Sequence, residues 1–364
     1  MKGQSYVWEG AIPLQIHLHE SEVTTMPAPA PALVLAPRIG YLPLLLPLVK
    51  PHFASALPPG VDTPWFDYKG LPLKWYVPTG VLFDLLCHEP ERPWNLTVHF
   101  RGYPNNLLMP YEGEDSVKWN FINSLKEADY IINGNCKNVM HMSQSDQLEL
   151  WRSVMNGSLE AYLRASSKLR LGTVEDEYTL DLDLCKPKSP KTSEVDVAGQ
   201  VKAGKVPVRL YIWTVSTDFE DLEDVPNIDS WDKISYVNRP VEFLKEEGRC
   251  FTLLDALKTL LPEFFNGNSM LNEEPCGLED EEDKQNAPEE DSISLRKAKE
   301  GKETSCQIAE SCRKGGDAEI KLVRIQGIEP KLEIPFSWIV NNLKNPEHFL
   351  HICLYLKLPI VNTA

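Results

Sequence analysis

The stretch Tyr68-Lys69-Gly70-Leu71-Pro72-Leu73-Lys74-Trp75, followed by Pro78 and the short run Thr79 to Leu86, occurs a second time in outline. Its echo is Ile325-Gln326-Gly327-Ile328-Glu329-Pro330-Lys331-Leu332, followed by Pro335 and Phe336 to Leu343. The step from Gly70 to Pro78 and the step from Gly327 to Pro335 are both eight residues. Each following run carries an apolar i, i+4 pair, Leu82 with Leu86 and Ile339 with Leu343, the spacing of one helical face. A period-two stretch comes next in both: Leu96, Val98, Phe100 in one and Leu350, Ile352, Leu354 in the other. Alternation of that kind places each set on one face of a strand.

Upstream, each copy has a long helical stretch, Ile39 to Leu57 and Phe251 to Phe265. Before those come strand candidates: Ile12 to His19 with Ala32 to Ala36, and Val206 to Val215 with Val237 to Phe243. Both blocks therefore read strand, strand, helix, strand, strand, helix, strand. A sheet must bury one face, and the helices are the available cover. This is the β-grasp order of ubiquitin-like folds, and it predicts an α+β chain with two such domains.

Between them, residues 114–171 contain no proline and read as helix. Val117, Phe121, Leu125, Ala128 and Ile132 fall on one face. A second run carries Leu148, Trp151, Met155, Leu159, Tyr162 and Leu163, with Gly157 as a break and Ser143 or Ser145 as its cap. The expected organisation is a first ubiquitin-like domain with its N-terminal segment (1–112), a helix-rich domain (113–171), a charged linker (172–205) and a second ubiquitin-like domain (206–364). Within the last, 266–320 has no aromatic residue and few aliphatics, and is expected to be disordered.

The chain has 364 residues and a net charge of −16. Residues 273–291 hold ten acids and one base, Lys284, so that stretch alone carries −9 of the charge. An acidic balance argues against a binder of nucleic acid held by phosphate contacts. The eight cysteines are scattered with no Cys-x-x-Cys pair, as expected of reduced thiols in the cytoplasm. Met1 to Trp8 shows no signal-peptide core. The most apolar stretch, Ile39 to Val49, is too short to span a bilayer, which needs about 20 residues. A soluble protein is expected.

Signals of catalysis are weak. Gly199 to Val206 nearly spells a phosphate loop, but Val206 stands where Mg²⁺ needs Ser or Thr. His17 and His19 share a strand face without a ligand set. A cysteine hydrolase using Cys87 beside His88, or Cys353 near His351, is the enzyme alternative. A catalytic thiolate needs an electropositive, partly open site, and nothing in the sequence supplies one. The residues alone favour a scaffold without catalysis or cofactor.

Several stretches resemble the autophagy protein 5 family, in its plant form. They are Tyr6 to Pro13, Pro37 to Leu42, Gly70 to Leu86, Pro93 to Phe100, Gly327 to Pro330 and His348 to Ile352. Residues 172–205, 216–232 and 266–320 depart from the compact animal and fungal pattern. The resemblance implies two ubiquitin-like domains around a helix-rich one. It also implies a non-catalytic scaffold, joined covalently to the ubiquitin-like autophagy protein 12 and bound to the coiled-coil autophagy protein 16. The resulting ligase-like complex would direct a second ubiquitin-like protein onto phosphatidylethanolamine at the autophagosome precursor, where the cytoplasmic chain is recruited peripherally.

The acceptor implied by the resemblance is Lys126, within Trp119 to Asp129. It follows Leu125 by about 100° of helix, so its stem should sit at the edge of the buried face. Glu127 and Asp129 beside it should favour the charged amine. The coiled-coil partner is expected in a groove between domains, with Trp8, Trp75 and Trp151 as candidate anchors. Arg38 and Lys50, which bracket the first long helix, are the candidates for membrane contact.

Overall fold

Lys69 and Gly70 close a two-residue hairpin between Tyr68 and Leu71, with φ of 51° and 85°. Gln326 and Gly327 do the same between Ile325 and Ile328, with φ of 54° and 74°. Positive φ at both central residues gives the turn whose twist matches that of paired strands. The two copies of the opening motif are thus one turn built twice. The structure is a computed structural model describing residues 2–60, 62–169, 171, 204–215, 227–243, 250–265 and 318–358.

After helix α1 (Lys2–Glu9), the first domain runs β1 (Ala11–Leu18), β2 (Ala32–Pro37), a 3₁₀ turn (Leu42–Leu45) continuing into α2 (Leu46–Phe53), β3 (Trp65–Tyr68), β4 (Leu71–Pro72), α3 (Thr79–Leu86) and β5 (Trp94–His99). Its sheet order is β2-β1-β5-β3-β4, with β1 and β5 parallel. The helix-rich part is α4 (Glu114–Asn133), α5 (Lys137–Met140), α6 (Gln144–Met155) and α7 (Leu159–Ser166). The second domain runs β6 (Gly204–Val215), β7 (Ile234–Phe243), α8 (Leu253–Leu260), α9 (Pro262–Phe265), β8 (Glu319–Arg324), α10 (Phe336–Leu343) and β9 (Leu350–Lys357). Its order is β7-β6-β9-β8, again with the first and last strands parallel. Both are β-grasp folds, and the Ile325–Ile328 bridge stands where the first domain has β4.

Prolines divide the expected long helices. Pro43 and Pro47 sit in the first turns of the 3₁₀ segment and of α2, where a missing N–H costs nothing. The expected helix from Ile39 to Leu57 is therefore a turn plus eight residues. Pro262 likewise separates α8 from α9, and Thr252 with Asp255 forms a capping box at the start of α8. In the helical part, Ser143 caps α6 by accepting from the Asp146 N–H, and Gly157 (φ 63°) breaks α6 from α7. Trp151 and Tyr162 are buried as expected, whereas Leu148, Met155 and Leu163 of the same stripe are exposed; Leu150 and Val154 fill the core in their place.

The expectation of one buried face holds for the first sheet only. Ile12, Leu14, Ile16 and Leu18 point inward, while Leu33 and Leu35 of β2 are exposed. In β9 every residue from Leu350 to Leu356 is buried. Leu350, Ile352, Leu354 and Leu356 belong to the core under α8 and α10. Cys353 and Tyr355, with Tyr211 and Trp213 of β6, join the core of the first domain. The second sheet is the floor on which α3 rests.

Polar contacts fix that seat. The Tyr355 hydroxyl reaches the carbonyls of Asp84 (3.1 Å) and Leu85 (2.6 Å), and Arg324 donates to those of Cys87 and His88. These carbonyls lie at and just beyond the C-terminus of α3, where intrahelical partners run out and cations are favoured. Asp84 takes Arg38 and the Gly327 N–H (2.7 Å) on one oxygen.

Two segment boundaries move. Gly204 and Lys205, assigned to the linker, pair with Phe243 and Glu242. Ala318 to Ile320, assigned to the insertion, include a buried alanine and the start of β8. The remainder of both segments, 172–203 and 266–317, lies outside the described residues. From the departing stretch 216–232, Ile228 is buried and Trp231 donates to the Pro72 carbonyl (2.7 Å), docking this segment on the first domain.

Candidate functional site

Helix α4 starts after Gly113 with Glu114 and Asp115 in its first turn, at the positive end of the helix dipole. It ends at Gly134 in the left-handed conformation. Val117, Phe121, Leu125 and Ala128 are fully buried. Lys126 lies at the edge of that face, half-buried, and makes no ion pair among the described residues.

Its acidic neighbours do not serve it. Glu127 accepts from Arg209 of β6 (2.7 Å) and from Asn238 of β7 (2.6 Å). Asp129 is fully buried and accepts from Asn133 (2.8 Å), Asn138 (3.1 Å) and the Val139 N–H (3.2 Å). The expected pairing of these carboxylates with Lys126 is not what forms: one ties α4 to the second sheet and the other closes the α4–α5 turn. On the outward face stand Trp119 and Tyr130, which are 55% and 63% exposed. Their signal was available, because both lie off the apolar stripe that marks the buried side.

The tryptophan candidates are core. Trp8, Trp75 and Trp151 are all buried. Trp8 packs on Tyr162 with ring centroids 4.7 Å apart, Trp75 donates to the Met109 carbonyl (3.0 Å) and Trp151 to Glu114 (2.9 Å). Each indole is consumed by its own fold, leaving little surface to anchor a partner. The groove between domains has other walls. Leu44, Leu46, Pro47 and Pro51 face Tyr111 and Met155 across a volume of about 360 Å³, between the first domain and the bundle.

The candidates for membrane contact are not a pair. Arg38 is buried against Asp84, with Gly80 and Gly327 packed on it; a Cβ on either glycine would approach Arg38 to 2.9 or 2.8 Å. It cannot meet lipid. Lys50 is exposed and bound to Asp62. No helix among the described residues is long and apolar enough to cross a membrane.

The hydrolase alternative is also corrected. Cys87 and Cys353 are buried. Burial pushes the Cys87 thiol up to about 12 and holds the Cys353 thiol well above the ordinary thiol range. That is the reverse of an activated nucleophile. Cys353 contacts the Val81 carbonyl, and His351 is held between Glu347 (2.8 Å) and Tyr211 (3.2 Å). Val206 of the near phosphate loop lies inside a strand where that loop requires a helix.

Two β-grasp domains clasped through α3, with a helical bundle alongside, define a tandem ubiquitin-like protein. The family models agree in detail. Residues 7–100 match the UblA domain of autophagy protein ATG5, residues 114–172 its alpha-helical bundle region and residues 205–354 its UblB domain. The chain is 64% identical over 355 residues to Autophagy protein 5 of Arabidopsis thaliana, covering 97% of both chains. It is 53% identical over 356 residues to Autophagy protein 5 of Oryza sativa subsp. indica, covering 96% of this chain and 92% of that one. The crystal structure of Kluyveromyces marxianus Atg5 has the same fold, with a TM-score of 0.59 at 18% identity over 97% of this chain and 99% of that one. The chain belongs to the autophagy protein 5 family, in its plant form.

Proposed function

We propose that this member of an autophagy family is a conjugation scaffold. Lys126 receives the C-terminal carboxyl of the ubiquitin-like autophagy protein 12, and the groove at Leu44, Pro47, Tyr111 and Met155 takes an apolar face of the coiled-coil autophagy protein 16. The conjugate then promotes transfer of a second ubiquitin-like protein to phosphatidylethanolamine, as a cytoplasmic protein recruited peripherally to the autophagosome precursor. The observation that carries this reading is a half-buried lysine on α4 with no ion pair among the described residues, inside the region that matches the family's helical bundle.

The chemistry asks little of the chain. The neutral amine attacks a thioester carbonyl; the N–C bond forms, the C–S bond breaks and the thiol leaves. With Glu127 and Asp129 engaged elsewhere, the proton acceptor belongs to the conjugating enzyme. Lys126→Arg keeps the charge and the helix propensity but replaces the nucleophile by a guanidinium protonated at any working pH. The adduct should vanish in a reconstituted reaction, coiled-coil binding should persist and lipid conjugation should fall to background. An adduct that moves to Lys118 or Lys137 overturns the assignment.

The groove has its own check. Met155→Arg places a charge on an exposed wall without touching the core, so it should weaken coiled-coil binding and leave the adduct unchanged. Unchanged affinity by calorimetry would remove this groove.

A further inference from the structure

Trp119, Asn123, Lys126 and Tyr130 occupy positions 0, 4, 7 and 11 of one stripe along α4. At 3.6 residues per turn they fall within roughly 60° of arc and span about 16 Å. Trp119 and Tyr130 are more than half exposed, and Lys126 lies between them. Packing within this chain does not account for large aromatics that keep more than half of their surface in water on both sides of one lysine. Exposed Trp and Tyr are instead the residue types that dominate binding energy at interfaces.

The charge pattern narrows what covers the stripe. Between Trp119 and Tyr130 the charged residues are Lys126, Glu127 and Asp129. The two carboxylates are consumed within the fold, so the Lys126 amine, without an ion pair among the described residues, sits between two aromatic rings. Its complement is a cleft with apolar seats around a proton-accepting, anionic centre. Transfer geometry points to the same occupant. A thioester carbonyl must come within about 3–3.5 Å of the amine for attack. Trp119 and Tyr130 are only about 10 Å and 6 Å from Lys126 along the helix axis. Whatever carries the thioester to Lys126 must cover both.

We infer that Trp119 and Tyr130 are the docking residues for the enzyme that bears the modifier as a thioester. They position its cleft over Lys126 and discriminate this lysine from Lys118 and Lys137. The inference rests on the acceptor reading of Lys126 and extends it to recognition.

The test uses the full chain with the activating enzyme, the conjugating enzyme and the modifier, following initial rates of adduct formation as the conjugating enzyme is varied. Trp119→Ala combined with Tyr130→Ala should lower the rate at sub-saturating enzyme by about tenfold or more, the size expected for lost interface anchors. The rate at saturating enzyme should be largely recovered, and the milder pair Trp119→Phe with Tyr130→Phe should fall between. Acylation of Lys126 by the small reagent N-hydroxysuccinimide acetate should be unchanged, as should thermal unfolding. Rates equal to the parent protein at every enzyme concentration would overturn the inference. So would a parallel loss of small-reagent acylation, because the aromatics would then act on the amine and not on the enzyme. A Lys126→Arg control separates the two levels. An adduct persisting there sinks the acceptor reading, whereas an adduct lost there with unaltered kinetics in the aromatic variants sinks only the docking face.

Discussion

Lys344 is a base held where its charge is disfavoured. It caps the C-terminus of α10, and burial alone pulls its amine from 10.5 down to about 8. The folded chain therefore gives up this proton earlier than the unfolded chain does. Between about pH 8 and 10.5 the unfolded state binds more protons, so this residue adds stability as pH rises through that window. Lys344→Met should remove the penalty below pH 8, a gain of about 1–2 kcal/mol once partial exposure of the residue is allowed for. Urea midpoints at pH 7.5 and pH 9.5 should separate parent and variant more at the lower pH; an equal gap at both would refute the assignment. Single residues were also where the sequence was least legible. Arg38 reads as a surface cation because its partner Asp84 is 46 positions away and its second neighbour, Gly327, lies in another domain. Lys126 was placed correctly at a helix edge because Leu125 beside it marks the buried face. The engagement of Glu127 by Arg209 could not be read, since 82 residues separate them.

Elements were more legible, because turns and periodicities are local. The repeated glycine marked a real turn in both domains, and the runs ending in Leu86 and Leu343 are helices with the predicted bounds. What local pattern cannot show is what covers an element. The strand residues Leu350 to Leu356 are apolar or aromatic in both phases apart from His351, and only the docking of α3 explains the second phase. The two turns make a paired prediction. A Cβ on Gly70 meets nothing within 4 Å, so Gly70→Ala should cost only the positive-φ penalty, about 1 kcal/mol. Gly327→Ala carries the same penalty and also drives a methyl to 2.8 Å from the Arg38 guanidinium, beside the buried Asp84 pair. It should destabilise clearly more, because breaking a buried ion pair costs about 3–5 kcal/mol. Equal losses in chemical denaturation would show that Arg38 swings aside freely.

On the scale of the whole molecule, the duplication could be read but not the way its halves lock. Tyr355, Arg324 and Gly327 of the second domain all converge on α3 of the first, an arrangement no sequence periodicity encodes. The acidic insertion illustrates what the assembled structure adds. Its composition, without an aromatic residue, predicts that the fold survives joining residue 265 to 321. The structure moves the second cut. The Ala318 N–H donates to the Phe264 carbonyl at 2.9 Å, so the two ends of the segment already meet. Ala318 is buried, and Glu319 and Ile320 pair with Lys357 and Leu356 of β9. A short Gly/Ser linker from Phe265 to Ala318 therefore spans almost no distance and retains every described contact of β8. Closure of a flexible loop changes by only about 0.6 kcal/mol per doubling of length, so shortening it carries no large term. That deletion should leave the melting temperature within a few degrees of the parent and Lys126 conjugation intact. The longer deletion to Lys321 removes a buried alanine and the first rungs of β8, and it should melt clearly lower. Calorimetry on the two deletions distinguishes them. If both melt alike and far below the parent, residues 266–317 contribute to the second domain, and its boundary must be redrawn to include them.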